Sequence, residues 1–304
     1  MWDSVRDNFF GFSAPLEGVV AYMYQDILGK VTIGVGNLID SEAAALALPA
    51  QGAPFFHKEP PGTPLTTVAS DAEISAEWHM IKGDASLAAA GHTAAGAIAN
   101  LRLRDDGIDA IVRAKVLQME SYLTDGHVAE FANFQSWPAD AQLALLSMSW
   151  AMGSAFADGT KWPSFRSNCA AGDWLAAAKN CNMSNQWLAK RNAVNRGLFR
   201  NAAYSVAPPP SPAEDLALPI PGNRPRLQLG DQDGADTSVA TLQSFLTWMG
   251  YPCTENGTFD QETDTAVRAF QTDEAALPGA TGFSADGVVG PLTWAALGYL
   301  VPTA

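Results

Sequence analysis

Positive charge, cysteine and long apolar runs are all scarce in this chain. Eighteen Lys and Arg stand against 32 Asp and Glu, a formal net charge of −14. That balance argues against nucleic acid or an acidic membrane surface as the main partner. No apolar run approaches the roughly 18 residues of a membrane-spanning helix. The opening Met1-Trp2-Asp3-Ser4-Val5-Arg6-Asp7 lacks the basic stretch and apolar core of an export signal, so synthesis in the cytoplasm is expected. Three cysteines, Cys169, Cys181 and Cys253, are too few for a disulfide scaffold, and Cys169 and Cys181 are expected as buried apolar side chains. His57, His79, His92 and His127 stand far apart with no HExxH and no paired-Cys pattern, so neither a metal nor a cofactor is expected. Glycine-rich phosphate loops and GxSxG nucleophile elbows are missing as well.

What is present is ample material for cores: 304 residues, 47% of them apolar, enough for two domains. Ala207-Pro208-Pro209-Pro210-Ser211-Pro212, followed by Pro219, Pro221 and Pro225, can continue neither a helix nor a central strand and reads as a stiff spacer. Charge divides there too, with net −9 over residues 206–304 and −5 before them. The expected organisation is a large domain at 1–205, a linker at 206–226 and a small domain at 227–304. Within the large domain, residues 48–64 are dominated by Pro and Gly and read as an inserted loop. Ser70-Asp71-Ala72-Glu73 has the spacing of a capping box and opens a helix. Residues 85–100 read as helix despite Gly91 and Gly96. Ile108, Ile111, Val112, Val116, Met119 and Tyr122 form one helical stripe. Residues 140–152 are apolar nearly all round and stop at Gly153, the pattern of a helix buried on most sides. Helices are expected at 173–179 and 186–199.

The chemistry-bearing stretch runs from Leu16 to Asn37. Val31, Ile33 and Val35 alternate with Thr32, Gly34 and Gly36, which reads as a strand with one buried face. Its other face would carry one hydroxyl between two bare positions, and glycines inside a strand often mark where a ligand comes close. Asp26 precedes a turn at Leu28-Gly29 that would return the chain as a hairpin. Glu17, followed by Gly18, is placed in the last turn of a short helix. A carboxyl group there, partly buried at the negative end of the helix dipole, would hold its proton longer than Asp26 in its polar turn. Taken singly, such a Glu, Asp and Thr are ordinary structural residues. Together at one cleft they offer what glycoside hydrolysis requires: a proton donor for the leaving oxygen, and a carboxylate that activates water.

Glu17, Asp26 and Thr32, with Glu-Gly at the first and Thr-Ile-Gly-Val-Gly at the last, resemble the catalytic signature of the phage-type lysozymes, the muramidase family of T4 lysozyme and many endolysins. Met148 to Gly153 resembles that family's central helix, and Lys190 to Phe199 its C-terminal helix. The likeness covers most of 12–201 and is poor from about Ile39 to Ala110. It implies an α+β lysozyme-like fold, mostly helical with a small β-hairpin lobe. It implies Glu17 as general acid, Asp26 and Thr32 positioning the attacking water with inversion at the sugar, and Arg191 pairing with Glu17. Gly34 and Gly36 are the expected substrate floor. Asn37 stands where the family has a supporting histidine, and Ala151 where many members carry Asn or Gln that touches sugar.

In the small domain, Asn256 to Val267 parallels Asp286 to Leu297: a Gly-containing turn, an apolar anchor, then a helix start, with Pro291 suited to the first helical position. Val239, Leu242, Phe245, Leu246 and Met249 mark a helix ahead of both, so three short helices are expected. Leu242-Gln243, Gly250-Tyr251, Ala269-Phe270-Gln271 and Asp286-Gly287-Val288-Val289-Gly290-Pro291 resemble the peptidoglycan-binding module found beside wall hydrolases. Phe245, Phe270 and Trp294 read as core, while Trp248 and Tyr251 are candidates for stacking on glycan.

The expected function is thus a monomeric, bacteriolytic muramidase acting on bacterial peptidoglycan. It would cut the β-1,4 bond between N-acetylmuramic acid and N-acetylglucosamine, as an endolysin does in host lysis. A lytic transglycosylase is the second reading, which the Asp26/Thr32 pair disfavours. A non-catalytic wall-binding or particle-structural protein is the third.

Overall fold

The computed structural model describes residues 1–204, 224–234, 237–277 and 282–298, so most of the expected linker lies outside the described residues. Two compact units result, one of Phe9–Gln118, the other of Met1–Asn8 with Met119–Ala304. The protein is mostly helical with two small sheets, an α+β composition.

The first unit is organised around the hairpin. Helix α1 (Asp3–Glu17) stops at Gly18, whose φ of 78° suits glycine. It is a helix of 15 residues rather than the short one expected. Strands β1 (Val20–Gln25), β2 (Val31–Gly34) and β3 (Asn37–Leu38) form an antiparallel sheet in that order. The alternation over 30–37 is therefore not one strand. Gly34 and Gly36, at φ 68° and 83°, reverse the chain around Val35, so that Ile33 pairs with Asn37.

After α2 (Glu42–Leu46), the stretch expected as a loop carries a one-turn helix at Pro49–Gln51 and strand β4 (Phe56–His57), with Phe55 and Phe56 in the core. Aromatic burial overrides its Pro and Gly content. Helix α3 (Asp71–Gly83) opens on the expected capping box between Ser70 and Glu73. The buried Gln25 amide donates to the Ile81, Lys82 and Asp84 carbonyls, satisfying acceptors at the helix end. Residues 85–100 hold two helices, α4 (Leu87–Ala90) and α5 (His92–Ile98), parted at Gly91 with φ 78°. Strand β5 (Leu101–Arg102) pairs with β4, and its start is held by the Glu77 carboxylate, which accepts from the Asn100 and Leu101 amides. Helix α6 (Asp105–Thr124) buries Ile108, Ile111, Val112, Val116 and Met119 as its stripe predicts.

In the second unit, α7 (Ala139–Met152) is buried along nearly its whole length and ends at Gly153, φ 83°. Helix α8 (Pro163–Ala171) has no counterpart in the sequence reading, while α9 (Trp174–Asn180) starts on an Asp173 cap. Cys169 and Cys181 are free and buried, and burial pushes the Cys181 thiol up to about 12. Helix α10 (Ala189–Tyr204) packs on α7 and α9.

The small domain supplies α11 (Ser238–Trp248), α12 (Gln261–Ala275) and α13 (Pro291–Leu297), the three helices expected. Its internal repeat has a physical basis. Gln243 of α11 donates to Thr258 O at 2.9 Å and accepts from Gly257 N at 3.0 Å. Gln271 of α12 donates to Val288 O at 2.8 Å and accepts from Gly287 N at 2.9 Å. Each buried amide grips one glycine turn, and Phe245, Phe270 and Trp294 fill the core between them.

The same unit joins the small domain to α10. The Glu274 carboxylate is only 2% exposed and accepts from the Arg196 and Arg200 guanidiniums, while Arg200 also donates to Ala296 O. Burial alone would raise the Glu274 pKa. The two arginines overcome it and hold the carboxyl below its ordinary value.

Candidate functional site

Glu17, Asp26 and Thr32 all lie in the first unit. Glu17 is the last residue of α1 and is exposed rather than partly buried, because its turn faces solvent ahead of Gly18. Asp26 follows β1 and is half-buried. Its Oδ1 accepts from the Leu28 and Lys30 amides at 2.8 and 2.9 Å, closing the hairpin turn.

Thr32 departs furthest from expectation. It is 5% exposed, not the open floor of a cleft, and its hydroxyl donates to Lys30 O at 3.2 Å. The register gives the cause. Thr32 lies opposite Tyr24 on one side and Leu38 on the other, and directly opposed residues share a face of the sheet.

That register also brings in Tyr24, which the sequence reading passed over. Burial first, then the negative charges of Glu17 and Asp26, raise the Tyr24 pKa above its ordinary value. Both carboxylates therefore act on one half-buried phenol, whose cross-strand partner is Thr32. Tyr22, two residues earlier on the same face, bonds His92 Nδ1 at 3.2 Å, and the Tyr24 ring lies 6.1 Å from the His92 ring. A Cβ on Gly96 would sit 2.5 Å from the Tyr22 ring, which is why α5 needs glycine at its approach to β1. The period-two tyrosines of β1 are the signal that could have found this cluster.

The glycines have structural employment. A Cβ on Gly34 would meet Asn37 Oδ1 at 3.1 Å and Ile108 Cγ2 at 3.3 Å, so this position faces a helix, not an open floor. Gly36 is exposed at the turn. Asn37, in place of the family's histidine, accepts from Val35 N at 3.4 Å within that turn.

Arg191 and Ala151 belong to the second unit. Arg191 is buried on α10, and its Nη1 donates to Ser147 Oγ at 2.9 Å and to Ser147 O at 3.2 Å. Ala151 is half-exposed near the end of α7. In the small domain, Trp248 closes α11 with 37% exposure. Tyr251 is less available, because its hydroxyl donates to Asp273 Oδ2 at 2.7 Å and its ring meets Phe270 edge-on. Burial and that hydrogen bond push its pKa up.

Residues 235–297 match the family model described as "Putative peptidoglycan binding domain". The match spans all three helices of the small domain and both of its glutamine-gripped turns, and it supports peptidoglycan as a partner of the chain. No curated protein and no solved structure gave a match. Among the described residues no group of His, Cys, Asp and Glu is placed to hold a metal, and no helix is long and apolar enough to cross a membrane.

Proposed function

We propose that the chain is a peptidoglycan muramidase with a lysozyme-like catalytic region at its N-terminal side. What supports this reading is that the negative charges of Glu17 and Asp26 both raise the pKa of the half-buried Tyr24, which lies opposite Thr32 in the sheet. In this reading Glu17, exposed at the end of α1, donates its proton to the glycosidic oxygen as the bond to the sugar breaks. Asp26 accepts a proton from the attacking water, which enters on the opposite face and inverts the anomeric carbon. Tyr24 stands opposite Thr32 in the sheet and within the field of both carboxylates. The peptidoglycan-binding domain supplies the substrate.

A second reading, a non-catalytic wall-binding protein, has its own observation. Asp26 is already engaged by two amides of its turn and Thr32 by Lys30 O, roles that need no chemistry.

Mass spectrometry of purified sacculi digested with wild type and Glu17→Gln separates the readings. The muramidase predicts new reducing N-acetylmuramic acid ends from wild type, and none from Glu17→Gln, which still sediments with sacculi. Anhydromuramic ends would identify a transglycosylase instead. No new ends from wild type would leave the wall-binding reading standing alone.

A further inference from the structure

The second unit carries a groove that the proposed chemistry does not use. It measures about 670 Å³ and is lined by Trp137, by Asp173, Trp174 and Leu175 at the start of α9, and by Trp248 at the end of α11. That volume falls within the ~300–1,000 Å³ of small-ligand sites. Trp174 is half-buried and fixed on two sides: its ring centre lies 5.1 Å from that of Trp137, and it stacks on Phe199 at 6.3 Å and 11°. A ring held this way loses little further freedom when a ligand arrives. Leu175 and Trp248 are 39% and 37% exposed. Trp248 belongs to the peptidoglycan-binding domain, while Trp174 belongs to the helices around α10. Glu274, clamped by Arg196 and Arg200, fixes the one to the other.

We propose that this groove is a binding site for the glycan strand of peptidoglycan, shared between the domain and the helices it docks on. The alternate C–H faces of an N-acetylated pyranose present a flat apolar surface that packs on indole, while its hydroxyl and acetamide groups need polar partners at the edge. Exposed Ser136 lies at that edge. No Lys or Arg is among the described lining residues, and Asp173 is acidic. The carboxylates of the peptide stems would find no counter-charge here, which favours sugar over peptide. The proposal rests on the peptidoglycan-binding domain and not on the chemistry of Glu17.

The test uses the full chain as Glu17→Gln, so that ligand is not consumed, titrated calorimetrically with tetra-N-acetylchitotetraose. One tetrasaccharide is expected to bind per chain. Trp174→Ala and Trp248→Ala should each weaken binding at least tenfold, whereas Trp187→Ala, at an 84%-exposed position outside the groove, should not. Because Trp174 also packs on Phe199, Leu175→Asp serves as a second variant. It places a charge on the sugar surface while leaving the Trp174–Phe199 stack intact, and should weaken binding with the melting temperature changed by no more than a few degrees. Three results would overturn the proposal: no binding by the parent chain, equal binding by all four variants, or loss in Trp248→Ala alone, which would confine the ligand to the small domain. Displacement of the tetrasaccharide by free stem peptide would overturn the assignment to sugar. Each readout is independent of whether sacculi are cut.

Discussion

The Arg196–Glu274–Arg200 cluster gives a direct test of how the small domain is held. The relevant change is Glu274→Gln, which keeps the shape and removes the charge. The Glu274 side chain is 2% exposed, and those of Arg196 and Arg200 are 0% and 8% exposed. Arg196 also donates to Asn182, and Arg200 to Ala296 O, so neither guanidinium can swing out to water without breaking other bonds. Neutralising the carboxylate leaves two buried positive charges facing only a neutral amide. Removing one partner of a buried ion pair costs about 3–5 kcal/mol. In a folding unit of ~150–250 residues that corresponds to a fall in melting temperature of about 6–20 °C. Thermal unfolding followed by circular dichroism and tryptophan fluorescence would read it. The triple change Arg196→Met, Arg200→Met and Glu274→Met should restore most of the loss, because well-packed apolar groups of similar volume replace such clusters at little cost. A Glu274→Gln protein that melts within about a degree of wild type would refute the reasoning, since a carboxylate that is so easily dispensed with cannot be buried between two arginines.

Three further outcomes are expected elsewhere. Gly34→Ala forces a side chain into φ 68° and within 3.1 Å of Asn37 Oδ1, so it should destabilise by about 1–3 kcal/mol in urea unfolding; an unchanged midpoint would mean the β2–β3 turn is built differently. Tyr24→Phe, which removes the hydroxyl whose pKa Glu17 and Asp26 raise, should slow release of reducing ends by about tenfold while sedimentation with sacculi is unchanged, and a normal rate would take Tyr24 out of the site. The Lys82 ammonium, donating at 2.6 Å, together with the Val31 amide holds the Asp40 carboxyl below its ordinary value. Its contribution is therefore present above the ordinary carboxylate range and lost as pH falls through the depressed value. Asp40→Asn should accordingly be less stable than wild type at pH 7, with the gap closing towards pH 3; a gap that widens in acid would reverse the assignment.

How much of this was legible in the sequence depended on how local the cause was. The capping box at Ser70, the stop at Gly153 and the stripe from Ile108 to Met119 each follow from residues within a turn or two of one another, and each is found where the pattern placed it. The run from Val31 to Gly36 failed for an instructive reason. Period-two alternation describes a strand, but it cannot show that two glycines at positive φ let the same residues turn back after Gly34. Thr32 then acquires neighbours on both sides, and the open floor closes over it. Strand β4 was lost inside a Pro- and Gly-rich segment because its sheet partners, Arg102 opposite Phe56 and Leu101 opposite His57, lie some 45 residues further on.

Helix α10 shows the limit most clearly. Arg191, Asn192, Asn195, Arg196, Arg200 and Asn201 carry polar or charged side chains of the types that are mostly exposed, yet all six are buried. A charged residue in that position is tolerable only if something answers it, and for Arg196 and Arg200 the answer is Glu274, more than 70 residues later in another domain. This has a functional consequence. A proline-rich spacer between domains leaves their relative orientation unset by the sequence, and a merely tethered domain raises local substrate concentration only in proportion to its reach. A buried ion cluster sets a different condition: the domain presents its glycan surface in one fixed orientation to the helices beneath it. A strand held there is held in register with α9 and α10, so shortening or lengthening the spacer should change binding little, whereas breaking the cluster should change it greatly.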